Sequence, residues 1–278
     1  MTAPGLRPMA PTDVDAATEL ILGNDWGVRR EWLEFATTQA ACIPMVAEAD
    51  GEIVGTGVGT VNGPAGWIGT IFIAPDRRGH GLGRAITQAI IDRLESAGCR
   101  SLVLVATSEG RRLYERMGFE VQTQYRIMQA IGLPPVDRED GVRPFEVTDL
   151  PGLERLDREG TGEDRAHAIR RLADGETAKV VTGAEGGIDG FVIRAPWGGG
   201  ATIARSADAA LRIATARRRA AGPEGRVRVG LLDENVEGLA RLTEIGFRLT
   251  WSAPRMLRGE PQSWRPDWIW GQFNHAMG

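Results

Sequence analysis

A basic, glycine-rich segment carries the clearest chemical signal in this chain: Arg78-Gly79-His80-Gly81-Leu82-Gly83-Arg84. An apolar run at 67–73, ended by Pro75, predicts a strand before the segment. Residues 81–97 repeat apolar side chains at helical spacing, which predicts an amphipathic helix after it. Glycines let the main chain approach a phosphate, and a helix N-terminus supplies amide donors. The setting therefore predicts a phosphate site, although a tight strand-to-helix turn alone would also explain the glycines.

A tyrosine lies in the next chemically informative stretch, residues 106–119. Tyr114 falls on a predicted helix over 110–117, which Gly118-Phe119 closes. A phenolic hydroxyl could protonate a departing thiolate as a general acid. A half-buried helix tyrosine with its hydroxyl at the surface is the alternative interpretation.

Together these two segments resemble the acyl-CoA-binding motifs of the GNAT acetyltransferase superfamily. In that family a strand and Pro lead into Arg/Gln-x-x-Gly-x-Gly/Ala, and this chain has Arg78-x-x-Gly81-x-Gly83. The resemblance implies that the amides from Gly79 to Arg84 hold the CoA pyrophosphate. It also implies that the strand amides bind pantetheine, polarise the thioester carbonyl and stabilise the oxyanion. The implied cofactor-binding residues are Ile71, Phe72, Ile73, Arg78, Gly79, His80, Gly81, Leu82, Gly83, Arg84 and Thr107.

The resemblance assigns Tyr114 as the general acid and contains two departures. Thr107 stands seven residues before the tyrosine, where many relatives have Asn; it can still bond pantetheine. Gly69 stands where many relatives have a glutamate on the strand, so the general base must lie elsewhere or bulk water serves. Asp25 is the first candidate base, although a helix N-cap is the competing interpretation, and Glu48 is an alternative beside a predicted hairpin turn.

The acceptor site is the least specified part of this resemblance. The loop between the first two helices rims the acceptor pocket in the family. Trp26 and Trp32 could therefore line the acceptor pocket here, and core packing is the other interpretation.

The chain also contains two copies of one plan. Arg7-Pro8 and Thr12-Asp13 recur at an offset of 136, and Gly118-Phe119 recurs at an offset of 128. We predict an N-terminal catalytic domain at 1–135 with the acyl-CoA site, and a degenerate GNAT-like domain at 136–278. The predicted fold class is α/β (α+β): two GNAT-like domains, each with a mixed, mostly antiparallel central sheet flanked by helices.

The second copy lacks the chemistry of the first. Residues 201–211 replace the glycine-rich loop, Leu242 replaces Tyr114, and Asn235 corresponds to Thr107. We expect one donor site in the chain, with the second copy helping to shape the acceptor cleft. The tryptophan-rich tail at 264–278 must bury its aromatic rings and is expected to pack across the domains.

The composition narrows the possible partners. The chain has 278 residues and a formal net charge of −4, which argues against a nucleic-acid or anionic-membrane surface. The Arg217–Arg219 run is interpreted as a solvated helix end. Two separated cysteines and three scattered histidines predict neither a disulfide nor a metal site. No signal-peptide pattern or membrane-length apolar run is present in the sequence, so a cytoplasmic location is expected.

These features predict a GNAT-type N-acyltransferase that uses acetyl-CoA or another acyl-CoA as co-substrate and no metal. The amine would attack the thioester directly, and the acceptor would be a small-molecule amine. The alternatives are a longer acyl-CoA or an acyl carrier protein thioester as donor, or a CoA-sensing or scaffold module without activity. A monomer and a homodimer are both compatible with the sequence.

Overall fold

The structure, a computed structural model, describes residues 4–23, 29–136, 141–184 and 186–278. The first copy contains β1 (Gly5–Pro8), α1 (Val14–Leu22), α2 (Arg30–Thr38), β2 (Cys42–Ala49), β3 (Glu52–Asn62), β4 (Ala65–Ile73), α3 (Leu82–Ser96), β5 (Ser101–Val105), α4 (Ser108–Glu115) and β6 (Glu120–Ile131). The second contains β7 (Val142–Pro144), α5 (Leu150–Thr161), α6 (Ala166–Leu172), β8 (Ala178–Thr182), β9 (Ile188–Arg194), β10 (Gly200–Ala204), α7 (Ala207–Ala221), β11 (Arg226–Leu232), α8 (Val236–Glu244) and β12 (Arg248–Gly259), and the tail adds β13 (Ile269–Gly271).

The two copies repeat an ion pair as well as an order of elements. Arg7 bonds Asp13 at 2.6 Å at the start of the first copy, and Arg143 bonds Asp149 at 2.7 Å at the start of the second. Each aspartate also accepts a main-chain N–H three residues earlier, which fixes the turn into the following helix. The sequence match at offset 136 therefore reflects one structural device used twice.

The copies are joined by an exchange of strands. The larger sheet has the order β1-β2-β3-β4-β5-β12-β6-β11, and the smaller one has the order β13-β10-β9-β8-β7. Strand β12 of the second copy inserts between β5 and β6, and β6 of the first copy lies between β12 and β11. Of the described strand pairs, β4–β5 is parallel and the others are antiparallel, so the predicted fold class is confirmed.

Helix α3 packs tightly across the first sheet through its apolar stripe. Ile86 and Ile90 are fully buried. A Cβ added at Gly57 would come within 2.6 Å of Ile86, and one added at Gly59 within 2.6 Å of Ile90. Glycines in β3 therefore let the helix approach the strand closely, and this fixes the position of the helix N-terminus.

The basic run in α7 is not a solvated helix end, so that expectation was wrong. Arg218 is buried and donates to the main-chain oxygens of Ile131 at 2.8 Å and Ile245 at 2.6 Å. Arg217 donates to the main-chain oxygen of Arg228 at 2.9 Å. The two side chains therefore bond main-chain carbonyl groups of neighbouring elements, and for the buried Arg218 these bonds offset the loss of water.

The tail crosses between the copies, as expected. Strand β13 pairs with β10, and the residues after it reach the first copy. We call Gln272–Gly278 the closing segment. Thr60 donates to the Ala276 oxygen at 2.9 Å, and Asn62 donates to the Met277 oxygen at 2.8 Å. The segment is therefore held against strand β3 by buried hydrogen bonds.

Candidate functional site

A cavity of about 1430 Å³ lies where the two copies meet. Its wall combines the end of β4, the N-terminal turn of α3 and one side of α4 from the first copy. Strands β6, β11 and β12 and the closing segment supply the opposite side. A cleft between domains is a common location for a small-molecule site.

Strand β4 leaves part of one edge without a strand partner. It pairs with β5 from Ala65 to Ile68, and the described pairing with β5 stops there. Thr70 has φ 54, an uncommon conformation for a β-branched residue. Trp32 donates through Nε1 to the Thr70 hydroxyl at 2.9 Å, and Thr56 donates to the Thr70 carbonyl at 3.0 Å. These bonds hold a bulge that turns residues 71–73 into the cavity wall.

The glycine-rich loop presents main-chain donors to the same cavity. Gly79 and Gly81 both have φ 81, and a Cβ at either position would meet nothing within 4 Å. Gly81 is the N-cap of α3, and no side chain caps this helix end. The first amides of the helix therefore remain available to an anion. Arg78 lies over the Phe72 ring at 5.6 Å and donates to the Ile73 oxygen at 3.1 Å.

Tyr114 reaches the cavity from α4. Its side chain is mostly buried and makes an edge contact with Phe119, with ring centroids 6.1 Å apart. Burial raises the pKa of its phenol to about 12, so the hydroxyl keeps its proton at neutral pH. Thr107 caps α4 by accepting the Gly110 N–H at 3.1 Å and also lines the cavity.

The structure brings most of the sequence-predicted site residues into one wall. Trp32 and Tyr114 line the cavity, and His80 is exposed outside its wall. Asp25 and Trp26 lie outside the described residues. Glu48 is not part of the wall and pairs with Arg7 at 2.7 Å. The predicted cofactor residues in the wall are Ile71, Phe72, Ile73, Arg78, Gly79, Gly81, Leu82, Gly83, Arg84 and Thr107.

The sequence interpretation missed the contribution of the closing segment. A Cβ at Gly69 would lie 2.6 Å from the main-chain oxygen of His275 and 2.6 Å from the Ala276 side chain. His275 lines the cavity beside Trp251 and Tyr125. Gly69 was the available signal, because a strand position that must stay bare predicts the close approach of another segment.

In the second copy, residues of the chain itself occupy the positions that are open in the first copy. Ser206 caps α7 by accepting the Ala209 N–H at 3.2 Å, so this helix end is satisfied internally. Strand β13 occupies the edge of β10, and Asn235 donates to the Asp267 oxygen at 2.8 Å. A cavity of about 160 Å³ remains there.

The described part of the chain contains neither a metal-ligand cluster nor a membrane-spanning helix. No group of three or more His, Cys, Asp or Glu side chains that could hold a metal ion occurs there. No helix among those residues is both long enough and apolar enough to cross a bilayer.

Comparison with known proteins identifies the family. Residues 13–119 match the Acetyltransferase (GNAT) family, and residues 153–268 match an Acetyltransferase (GNAT) domain. An aminoglycoside N(6′)-acetyltransferase type 1 from Stenotrophomonas maltophilia is 30% identical over 135 residues, which cover 43% of this chain and 88% of that protein. The chain belongs to the GNAT acetyltransferase family and is an N-acyltransferase with two such domains in tandem.

Other relatives match at lower coverage or identity. An L-methionine sulfoximine/L-methionine sulfone acetyltransferase from Pseudomonas paraeruginosa is 30% identical over 108 residues; the match covers 36% of this chain and only 63% of that protein. A proposed acetyltransferase from Pyrococcus horikoshii superposes with a TM-score of 0.84 at 18% identity, covering 100% of this chain and 97% of the other. A tandem GNAT protein from the clavulanic acid biosynthesis pathway superposes with a TM-score of 0.59 at 13% identity, covering 94% and 100%. The two structural matches establish the shared fold alone.

Proposed function

We propose that the chain transfers an acyl group from acyl-CoA, with acetyl-CoA as the simplest donor, to the amine of a small acceptor. One observation carries this proposal: the partnerless edge of β4, the uncapped N-terminus of α3 and Tyr114 line one cavity. The helix end suits a pyrophosphate, and the strand edge suits an extended amide-bearing arm such as pantetheine. The proposed donor-site residues are those that the sequence resemblance implies, and all of them except His80 line this cavity.

The proposed reaction uses main-chain and side-chain groups of the wall that the first copy supplies. The amine nitrogen attacks the thioester carbonyl carbon, and a main-chain N–H of residues 71–73 stabilises the oxyanion. The carbon–sulfur bond then breaks, and Tyr114 gives its proton to the departing thiolate. The raised pKa of Tyr114 supports this role, because the donor is protonated at any pH at which the amine is reactive.

The charges near the loop favour CoA over an acyl carrier protein. A carrier protein would dock on cations around Arg77, Arg78, Arg84 and Arg111. Two of these four already pair with acids of this chain: Arg77 lies near Asp50 and Asp76, and Arg111 bonds Glu115 at 2.7 Å. Such pairing lowers the net positive charge available to an acidic partner.

The charge of the cavity wall favours an acceptor that carries an anion. The second copy contributes four arginines that form no ion pair with a carboxylate within the described ranges. Burial and the nearby charge of Arg194 lower the pKa of one of them, Arg217, to about 10. Like charges held together without acids favour binding of a carboxylate or phosphate. An amino-acid-like acceptor therefore fits better than a polycationic aminoglycoside. These arginines are Arg194, Arg217, Arg226 and Arg228.

The two copies have different roles in the proposed reaction. We propose domains at 1–135 and 136–278, with the single donor site in the first. In the second copy, Ser206 and the tail take the hydrogen bonds that a cofactor would otherwise receive. The second copy instead supplies strands β11 and β12 and the closing segment to the acceptor side.

An acceptor screen tests the proposal directly. Purified protein is mixed with acetyl-CoA and matched amines, release of free thiol is followed, and the product is identified by mass. L-methionine sulfone is paired with its carboxamide, and an aminoglycoside serves as the cationic comparison. We expect faster turnover for the carboxylate-bearing member of each pair. CoA binding without thiol release from any amine would instead support the non-enzymatic alternative.

A further inference from the structure

The closing segment delivers a titratable group to the reaction cavity. Among the wall residues that the structure describes, two side chains carry a carboxylate or an imidazole: Glu109 and His275. Glu109 lies in the first turn of α4, on the donor side of the cavity. His275 lies in the closing segment, where that segment runs against Gly69 of β4.

The ring of His275 is held by aromatic neighbours. It stacks on Trp251 at 5.4 Å between centroids with planes 19° apart, and it lies 5.3 Å from the Tyr125 ring. These contacts leave the ring nitrogens without a hydrogen-bond partner within the described portion of the chain. The side chain is only partly buried, so these nitrogens are open to the cavity and available to a group that arrives with the substrate.

The main chain around His275 is fixed. Trp197 donates to the Phe273 oxygen at 2.8 Å, and the Asn274 side chain accepts the Ala276 N–H at 2.7 Å. The bonds from Thr60 and Asn62 anchor the residues that follow. The imidazole is therefore preorganised, as a proton-transfer group must be.

We propose that His275 is the proton acceptor for the attacking amine, placed in the site by the closing segment, whose main chain occupies the space that Gly69 leaves free. This inference rests on the proposed function. The nitrogen–carbon bond forms, the carbon–sulfur bond breaks, and the proton of the attacking nitrogen moves to a ring nitrogen of His275, directly or through one water. Tyr114 gives its proton to sulfur and recovers one from the imidazolium through solvent, so that the products are an amide and the CoA thiol.

The surroundings of His275 keep its imidazole neutral, the form that can accept a proton. Burial and the nearby charge of Arg29 lower the pKa of His275 to about 4. Tyr125 on β6 and Trp251 on β12 add no charge at neutral pH. The ring is therefore neutral when the amine arrives, so a ring nitrogen has a lone pair that can accept the proton.

Variants of the full chain test this role against simple packing. We compare His275→Gln, His275→Ala and the matched wall variant Glu109→Gln, using acetyl-CoA and the best amine of the screen. We expect both His275 variants to lower kcat about 100-fold, with KM for acetyl-CoA changed by less than about twofold. Added imidazole should raise the kcat of His275→Ala in proportion to the neutral fraction of the imidazole between about pH 6 and 8. The kcat of Glu109→Gln should stay within about threefold of the parent value.

Several results would overturn the assignment. These are retention of kcat in both His275 variants, a comparable loss in Glu109→Gln, or a loss without imidazole rescue that accompanies a lower unfolding temperature. The last result would make His275 a packing residue. If the parent protein released no thiol with any amine, the proposed function itself would fail, which separates the two outcomes.

Discussion

Asn235 donates from Nδ2 to the main-chain oxygen of Asp267 at 2.8 Å while its Oδ1 accepts the Gly238 N–H at 2.9 Å. Thr107 occupies the matching position in the first copy, caps its helix in the same way and faces the large cavity. One structural position therefore binds the tail in one copy and is open in the other.

This contrast predicts different effects for two similar substitutions. Asn235→Ala and Thr107→Ala should each lower the free energy of unfolding by about 1 kcal/mol, because each removes a helix cap. Only Thr107→Ala should weaken CoA binding, by about threefold to tenfold for one lost hydrogen bond. Denaturant titration and calorimetric CoA titration measure the two effects. Equal CoA affinities in the two variants would contradict a cofactor contact at Thr107.

The glycine-rich loop offers a second matched comparison at the two ends of α3. Gly81 before the helix and Gly98 after it have φ 81 and 90, and a Cβ added at either position would meet no atom within 4 Å. Gly81→Glu and Gly98→Glu should each cost about 1–2 kcal/mol of stability from left-handed strain. Gly81→Glu should also weaken CoA binding at least about tenfold, because it places a carboxylate beside the pyrophosphate site.

The control for this comparison is the distant helix end. Gly98→Glu should bind CoA with the parent affinity in the same titration. An unchanged affinity in Gly81→Glu, with both proteins folded, would remove the loop from the donor site.

Loss of the hydroxyl should affect the reaction rate at Tyr114 and the stability of the fold at Tyr125. Tyr114→Phe should lower kcat about 100-fold at constant KM, because it removes the proposed proton donor. Tyr125 accepts the Gln272 amide at 2.7 Å, so Tyr125→Phe should instead lower the free energy of unfolding by about 1 kcal/mol or more. Steady-state rates and chemical denaturation of both variants measure these effects. Full turnover by Tyr114→Phe between pH 7 and about 10 would refute the acid assignment.

Local signals predicted the elements that form the proposed donor site, because each of them lies in a contiguous segment. The helix predicted at 81–97 matches α3, Leu82–Ser96, to within one residue at each end, because its apolar spacing lies within one short segment. The glycine-rich loop likewise lies between two elements that are adjacent in sequence. The enzyme class therefore followed from two contiguous motifs.

The acceptor side could not be predicted in the same way. Thr60 and Ala276 are bonded although they lie 216 positions apart. Strand β12 pairs with β5 and β6, and no local pattern in the sequence could name these partners, since many strand pairings satisfy a period of two. His275 was consequently counted as an isolated histidine, although the fold places it in the cavity wall.

Acid titration offers a test of the His275 environment that does not depend on turnover. Its pKa is about 4 in the folded protein against an unperturbed value of 6.5, so the unfolded chain binds more protons between these values. Stability should therefore be lost as the pH falls from about 6.5 towards 4, by up to about 3 kcal/mol from this group. His275→Gln should flatten this part of the curve relative to the parent. Parallel curves for the two proteins would show that His275 titrates normally.

A buried ion pair beneath the closing segment should contribute strongly to stability. Arg165 and Asp157 are bonded at 2.5 Å with side chains 0% and 1% exposed, and Arg165 also donates to Gln272 at 2.7 Å. Asp157→Ala leaves a buried guanidinium unpaired and should cost about 3–5 kcal/mol of stability. Glu34→Ala breaks an exposed pair with Arg30 and should change stability by less than about 1 kcal/mol.

The same pair should connect stability to the reaction. Arg165 fixes Gln272 at the start of the segment that carries His275, so Asp157→Ala should also lower kcat under conditions in which the protein remains folded. Glu34→Ala should keep the parent kcat. Unfolding curves and acyl-transfer rates for both variants measure this link. Full kcat in a folded, destabilised Asp157→Ala protein would show that the closing segment holds its position without the ion pair beneath it.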